Sequence, residues 1–337
     1  MGKKQVRACT IIAPCKINLH LTIGEKRPDG FHDLESLFAP LDFHDTLCIE
    51  CSGKDGDYSL EMNWEMTSEA IPLEIPPEEN LVSRAVFLFR ERTGFNSGLF
   101  VSLDKRIPAG AGLGGGSSDA ASCLLALNAL SGDVLTVEET KEMAAVLGSD
   151  VTFFLNTGTD NTVCPSAAFV SGRGEIIKPV RTPQGGLWVL LVKPGFSSDT
   201  AGAYRLLDQT RVGDKWPGDR FHQSPGEMSP LVLEKLPADV LIKALEGDPE
   251  TWPFFNDFFP VFLASGDRQN ADKYRAILAA LKDAGAAFAG LSGSGSCCFG
   301  VFKVKEIAEK AERRLGIPGN FVKLTFFLAQ KTIPVLE

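Results

Sequence analysis

Between Gly110 and Gly116 five of seven residues are glycine, and the chain then passes into Ser117-Ser118-Asp119-Ala120-Ala121-Ser122-Cys123-Leu124-Leu125. The interior of a strand or helix is a poor place for so many glycines, because each adds backbone entropy to be lost on folding and brings no side chain to pack. The stretch Pro108, Ala109, Gly110, Ala111, Gly112, Leu113, Gly114, Gly115, Gly116, Ser117, Ser118 is therefore read as a loop whose backbone N–H groups wrap an anion. Ser118 or Asp119 would cap the helix that runs on to Leu130, and the positive end of that helix would face the same anion. Phosphate is the expected guest. A flexible linker fits less well, since linkers continue into polar residues rather than an alanine- and leucine-rich helix.

Two other phosphate loops fail on spacing. The pattern Gly-x-x-x-x-Gly-Lys-Ser/Thr is absent. Gly110, Gly112 and Gly115 match Gly-x-Gly-x-x-Gly, but Lys105-Arg106-Ile107-Pro108 separates them from the preceding strand, Leu99 to Leu103, where a dinucleotide site wants a tight strand-to-helix turn.

With 337 residues, 44% of them hydrophobic, the chain can bury a large core and is expected to form two domains, 1–182 and 183–337. A formal net charge of -9 argues against nucleic acid or an acidic membrane as partner, because phosphate backbones reward a basic face. The basic start, Met1 to Val6, leads into an apolar stretch too short for a secretory signal, and Val6 stands where a myristoylation motif needs Ser or Thr. No apolar run reaches membrane-spanning length, so the expected location is cytoplasmic. Eight cysteines in a chain of this length do not make a disulfide scaffold. Cys48 and Cys51, three apart in an expected strand, should face opposite ways, as should Cys297 and Cys298.

The alternation of strand and helix patterns is that of an α+β protein. Strands are expected at Arg7 to Ile12, Ile17 to Ile23, Thr46 to Cys51, Tyr58 to Met62 and Leu99 to Leu103, then near Leu187 to Val192, Ala287 to Leu291, Cys297 to Val301 and Val322 to Phe327. Helices are expected over Leu81 to Arg92, Asp119 to Leu130 and Val137 to Leu147, and from Tyr204, Val240, Tyr274 and Lys305. Gln209 to Pro230, rich in Gly, Pro, Asp and His, reads as a loop or lid.

Three further segments carry possible chemistry. Lys16 and Asn18 alternate with Ile17 and Leu19, so they share one face of a strand; a lysine there is either an edge-strand solubility device or a functional ammonium. Asp150 follows the helix that ends at Gly148 and precedes Phe153-Phe154, which suits either an N-cap or a general base held ionised by an ammonium. The run Gly290-Leu291-Ser292-Gly293-Ser294-Gly295-Ser296 is a turn, or a second backbone nest facing the phosphoryl group or its acceptor.

Taken in order, Pro14-Cys15-Lys16-Ile17-Asn18-Leu19, the loop from Pro108 to Ser118, and Leu291-Ser292-Gly293-Ser294-Gly295-Ser296 resemble the GHMP kinase superfamily. Arg27-Pro28-Asp29-Gly30-Phe31-His32-Asp33-Leu34, Leu147 to Phe154, Gly172-Arg173-Gly174-Glu175 and Asn256-Asp257 are similar to its branch of 4-diphosphocytidyl-2-C-methyl-D-erythritol kinases. The resemblance runs from Ala13 to about Val301. It implies a two-domain fold, with an N-terminal ribosomal-protein-S5-like domain, a C-terminal ferredoxin-like domain and the active site in the cleft between them. It also implies ATP-dependent phosphorylation, with Mg²⁺, of the 2-hydroxyl of a cytidine-diphosphate-linked methylerythritol in the non-mevalonate route to isopentenyl diphosphate. Mevalonate or homoserine kinases, or a non-catalytic sensor on the same fold, are the alternatives.

Under this resemblance Lys16 and Asp150 match the catalytic pair, and residues Pro108 to Ser118 match the ATP phosphate loop. Asn80 and Lys105 match positions near the adenine, and Ser117 or Ser118 would help hold Mg²⁺ through the ATP phosphates. Phe31, His32 and Phe38 would recognise the cytosine, Phe196 would be the second face of the base sandwich, and Asn18 would touch the methylerythritol. The partner implied is the small-molecule acceptor, with the protein a monomer or homodimer. Phe31 stands where tyrosine is commoner, Cys15 where alanine is usual, and Phe258-Phe259-Pro260 replaces the usual leucine-acid sequence after Asn256-Asp257.

Overall fold

Strands β1 (Arg7–Lys26) and β2 (His32–Cys51) form one long antiparallel hairpin, closed by a turn in which Gly30 takes φ 87° and Arg27 N donates to Phe31 O at 2.7 Å. The computed structural model describes residues 7–52, 54–65, 76, 79–155, 166–183, 185–210, 236–264, 267–328 and 332–337. The two expected strands at Arg7 to Ile12 and Ile17 to Ile23 are thus a single one. Pro14 does not break it, because the register with β2 shifts between Pro14 and Lys16, and a bulge is where a sheet accommodates proline. Residues 32–45, which carry no clean alternation in sequence, extend β2 well upstream of Thr46 because β1 supplies them with a continuous partner.

Strand β3 (Tyr58–Trp64) pairs in parallel with β4 (Leu99–Lys105), and helix α1 (Leu81–Thr93) makes the crossover. Asn80 starts α1 by accepting from Val82 N at 2.9 Å, and Gly94 ends it in the left-handed region at φ 72°. Helix α2 (Gly115–Ser131) is buried along almost its whole length from Ser118 to Leu130, as expected of a helix apolar on all sides. It begins four residues before Asp119 and has no side-chain cap, so neither Ser118 nor Asp119 serves as one; Gly114, at φ 71°, is the N-cap. Helices α3 (Val137–Leu147, opened by a Thr136/Glu139 capping box) and α4 (Ser149–Phe154) complete the layer on this sheet. Strands β5 (Ala168–Gly172) and β6 (Ile176–Pro179) extend the sheet beside β2.

Strand β7 (Trp188–Pro194) opens a second sheet, in the order β10-β7-β9-β8. Around it the chain runs through α5 (Thr200–Thr210), α6 (Ala238–Leu245), α7 (Phe258–Ala264), α8 (Arg268–Asp283), β8 (Phe288–Leu291), β9 (Cys298–Phe302), α9 (Lys305–Leu315) and β10 (Asn320–Phe326). The last strand, β11 (Val335–Leu336), returns to β1. Alternation along β7 and β9 splits this sheet between two cores. Val189, Leu191, Phe299 and Val301 pack towards the first sheet, and Leu190, Val192, Cys298 and Phe302 towards the helices. Cys297 and Cys298 fall in different cores for the same reason. The expected loop at 209–230 lies outside the described residues, apart from Gln209 and Thr210, which belong to α5. No helix among the described residues is long and apolar enough to cross a membrane.

Candidate active site

The glycine-rich loop is tied to the protein through its carbonyl oxygens. Gly110 O accepts from Ser198 N at 3.2 Å and Ser296 N at 3.4 Å, Ala111 O from Cys297 N at 3.1 Å, and Leu113 O from Lys16 N at 2.9 Å. Ser292 Oγ donates to Gly112 O at 2.9 Å while accepting from Asn18 N at 3.2 Å. A loop whose carbonyls are held back in this way presents its N–H donors on the other side. There lies a cavity of about 340 Å³ lined by the loop, Trp64, Asn80, Lys105, Ser117 and Asp119. Gly112 has φ 73°, and a Cβ there would stand 2.2 Å from Ser292 O, so only glycine fits.

The run from Gly290 to Ser296 is bonded directly to this loop. Ser296 N and Cys297 N are spent on the glycine-rich loop, and Ser292 N and Gly295 N on the run's own turn. Asn256 Nδ2 donates to Leu291 O and Gly293 O, both at 2.8 Å, pinning the turn from beneath. Through these backbone amides the run clasps the glycine-rich loop and closes its own turn.

Lys105 is buried between two carboxylates. Its ammonium donates to Asp45 Oδ2, and to Asp119 Oδ2 at 2.6 Å. Asp45 Oδ1 also accepts from Arg106 N at 2.5 Å and Ile107 N at 2.8 Å, which fixes the chain just ahead of the loop. Burial pushes the Asp119 carboxyl up to about 8; Lys105 pulls against it, and the Asp45 charge adds to it. Lys105 stays above its ordinary value, since the charges of Asp119 and Asp45 outweigh its burial. Asn80, besides capping α1, donates from Nδ2 to Met62 Sδ at 3.3 Å.

At the other end of the loop, the stem of Lys16 lies against Gly114, where a Cβ would meet its Cγ and Cε at 3.1 Å. Lys16 Nζ donates to Asn18 Oδ1 at 2.7 Å, sits 4.5 Å from the centre of the Phe38 ring, and lies 3.4 Å from Asp150 Oδ2. Lys16 is buried, whereas the Asp150 side chain is 37% exposed. Asp150 is not an N-cap. Gly148 holds that position and Asp150 is in the first turn of α4. Asn18 shares the Lys16 face and is itself buried; its Nδ2 also donates to Ser36 Oγ at 2.9 Å. One N–H of that amide remains for an acceptor.

The residues expected at the base divide. Phe31 is 56% exposed at the hairpin tip, with the Arg173 guanidinium 5.1 Å from its ring centre. His32 is buried; its Nε2 bonds Asp208 Oδ1 at 2.7 Å and its ring stacks on Tyr204 at 5.2 Å. Phe38 opposes Asn18 across the hairpin and points into the first core, edge-on to Phe153 and under the Lys16 ammonium, so it has no free face for a base. Phe196 packs edge-on to Tyr274 with Lys273 over it, and lines a separate cavity of about 480 Å³. The aromatic ring facing His32 is Tyr204. Tyr204 and Asp208 were missed in the sequence; their four-residue spacing on one helical face was the available signal.

Burial would raise the Asp208 carboxyl, but hydrogen bonds from Lys26 and His32 hold it below the usual carboxylate range. Tyr204 is pushed up to about 12 by burial and then by the charge of Asp150.

The models of the GHMP kinases N-terminal domain and GHMP kinases C-terminal domain match residues 80–171 and 258–320. A 4-diphosphocytidyl-2-C-methyl-D-erythritol kinase of Treponema pallidum subsp. pallidum is 34% identical over 92% of this chain and 95% of its own. The chloroplastic enzyme of that name from Oryza sativa subsp. japonica is 40% identical over 58% of this chain, and the match spans 46% of the plant protein's length. A crystal structure of 4-(cytidine 5'-diphospho)-2C-methyl-D-erythritol kinase superposes with a TM-score of 0.66 at 29% identity, covering 94% of this chain and 99% of that one.

Proposed function

The chain belongs to the 4-diphosphocytidyl-2-C-methyl-D-erythritol kinase family, within the GHMP kinases and with their two-domain α+β fold, and from that premise we infer that it phosphorylates the 2-hydroxyl of the methylerythritol moiety at the expense of ATP. The observation that carries this reading is the position of Lys16, whose stem lies on the glycine-rich loop and whose ammonium reaches Asp150.

Asp150 takes the proton of the acceptor hydroxyl as the oxygen attacks the terminal phosphorus. The new O–P bond forms as the bond to the bridging oxygen of ADP breaks. Lys16 keeps Asp150 ionised and offsets charge on the phosphoryl oxygens. Asn18 aims Lys16, and its remaining N–H meets the methylerythritol. The loop amides and the N-terminus of α2 hold the phosphates, while Asn80 and Lys105 border the adenine. General-base assistance supplies roughly 10²–10⁴-fold, and positioning with electrostatics the rest.

The residues present suit a magnesium ion that travels with the nucleotide. Ser117 lines the cavity, Ser118 Oγ is buried without a hydrogen-bond partner, and no group of three His, Cys, Asp or Glu able to hold a metal occurs among the described residues. Bound with ATP, the ion would neutralise phosphate charge, with Ser117 or Ser118 as its protein contact. Phe31 and His32 meet the cytosine in this reading, and Tyr204 takes the place beside them that was expected of Phe196. We take the division between the two domains at residue 182, between β6 and β7, a reading supported by β7 to β10 forming their own sheet, while β11 returns to β1. A cytoplasmic location, and action on a small molecule without nucleic acid or membrane, complete the reading.

The test is a coupled assay of ATP consumption with the cytidylyl acceptor, mevalonate and homoserine side by side. Turnover is expected with the first alone. Turnover with either of the others and none with the cytidylyl compound would overturn the assignment.

A further inference from the structure

Tyr204 and Asp208, one turn apart on α5, both engage the ring of His32. Tyr204 stacks on it at an interplanar angle of 25°, and Asp208 Oδ1 lies 2.7 Å from Nε2. The other carboxylate oxygen, Asp208 Oδ2, accepts from Lys26 Nζ at 2.6 Å. An ionised carboxylate can only accept, so the ring nitrogen facing it must carry the proton. In a neutral imidazole that leaves Nδ1 as a lone-pair acceptor. The side chain of His32 is only 5% exposed, and a ring confined between an aromatic face and a carboxylate has little freedom to flip.

We propose that Asp208 is a positioning residue for base selection: by holding His32 as its Nε2–H tautomer, it presents Nδ1 to the exocyclic amine of cytosine and sets an acceptor against an acceptor when the base is uracil. The inference rests on the reading that His32 meets the base of the acceptor. Cytosine offers a donor at its 4-position where uracil offers a carbonyl oxygen, so one correctly protonated ring nitrogen separates them.

Asp208→Ala should raise the KM for the cytidylyl acceptor about tenfold, the loss expected for one charge-assisted hydrogen bond, with the KM for ATP unchanged. It should also shrink the preference for the cytidine-linked over the uridine-linked acceptor. Asp208→Asn, which can still accept from Nε2–H, should restore most of both. Long-range nitrogen-15 correlation on the wild-type protein, with His32 assigned among the four histidines through His32→Gln, should show a protonated Nε2 and an unprotonated Nδ1. An Nδ1–H tautomer or an imidazolium at neutral pH overturns the proposal whatever the variants do. Lys26→Met should leave tautomer and acceptor KM in place; if it reproduces the Asp208→Ala effect, the ion pair and not the tautomer is at work, and the proposal fails.

A double-mutant cycle separates the two levels of inference. If His32→Ala leaves the acceptor KM untouched, the base is not held there and the underlying reading is wrong. If His32→Ala raises it but Asp208→Ala does not, or if the two losses simply add, only the role of Asp208 falls.

Discussion

Lys16 Nζ and Asp150 Oδ2 lie 3.4 Å apart, an almost fully buried ammonium against a carboxylate that is 37% exposed. The ammonium is held from behind by Asn18 and Phe38, while the carboxylate remains open to an incoming hydroxyl.

Replacing Asp150 with Asn preserves shape and removes the carboxylate proposed as base. Turnover should fall by roughly 10²–10⁴-fold, with nucleotide affinity by titration calorimetry nearly unchanged. Near-normal turnover would remove Asp150 from the chemistry.

Lys16→Met keeps an apolar stem against Gly114 and deletes the charge. Single-turnover rates should drop by on the order of 10²-fold while acceptor KM moves little, because the ammonium acts on charge that develops in the transition state. A loss confined to KM would make Lys16 a binding residue.

Gly112→Ala forces a side chain into left-handed backbone and against the Ser292 carbonyl, in the turn whose Ser292 Oγ donates to Gly112 O. The backbone strain alone is of order 1–3 kcal/mol, read as a lowered urea midpoint, and the KM for ATP should rise with it. Gly116→Ala, whose Cβ would meet only Leu81 at 3.8 Å, should cost far less stability.

Asp119 supplies a pH dependence of known sign. Its carboxyl is raised from 3.8 to about 8 in the folded chain, so the native state binds the proton more tightly than the unfolded one. The resulting stabilisation is complete below about 4 and is lost as pH rises through about 8. Asp119→Asn still offers Lys105 an oxygen but cannot titrate. Urea unfolding of both proteins at pH 5 and pH 8 should show the variant gaining on the wild type at the higher pH, by on the order of 1–3 kcal/mol. A constant difference would show that Asp119 is ionised throughout.

Where local chemistry decides, the sequence was legible. The period of two along β1 put Lys16 and Asn18 on one face, and the structure joins them by a hydrogen bond at 2.7 Å. Helix α3 falls on the expected residues because Thr136 and Glu139 cap it and Gly148 ends it. Residues 32–45 were illegible for the opposite reason: Asp33, Glu35, Asp42 and Asp45 blur the alternation, and only pairing with β1 makes them a strand. Phe38 looked available for a base because sequence does not say which face of β2 is covered; helices α2 and α4 cover it.

By itself the sequence determined the glycine-rich loop, the shared face of Lys16 and Asn18, and most helices, since each follows from glycine freedom, the pleat or capping within a few residues. Only the tertiary structure brought Asp150 to Lys16 and Asp208 to His32. Those meetings join residues far apart in the chain, and local periodicity says which face a side chain takes but not what the packing of sheets and helices sets against it.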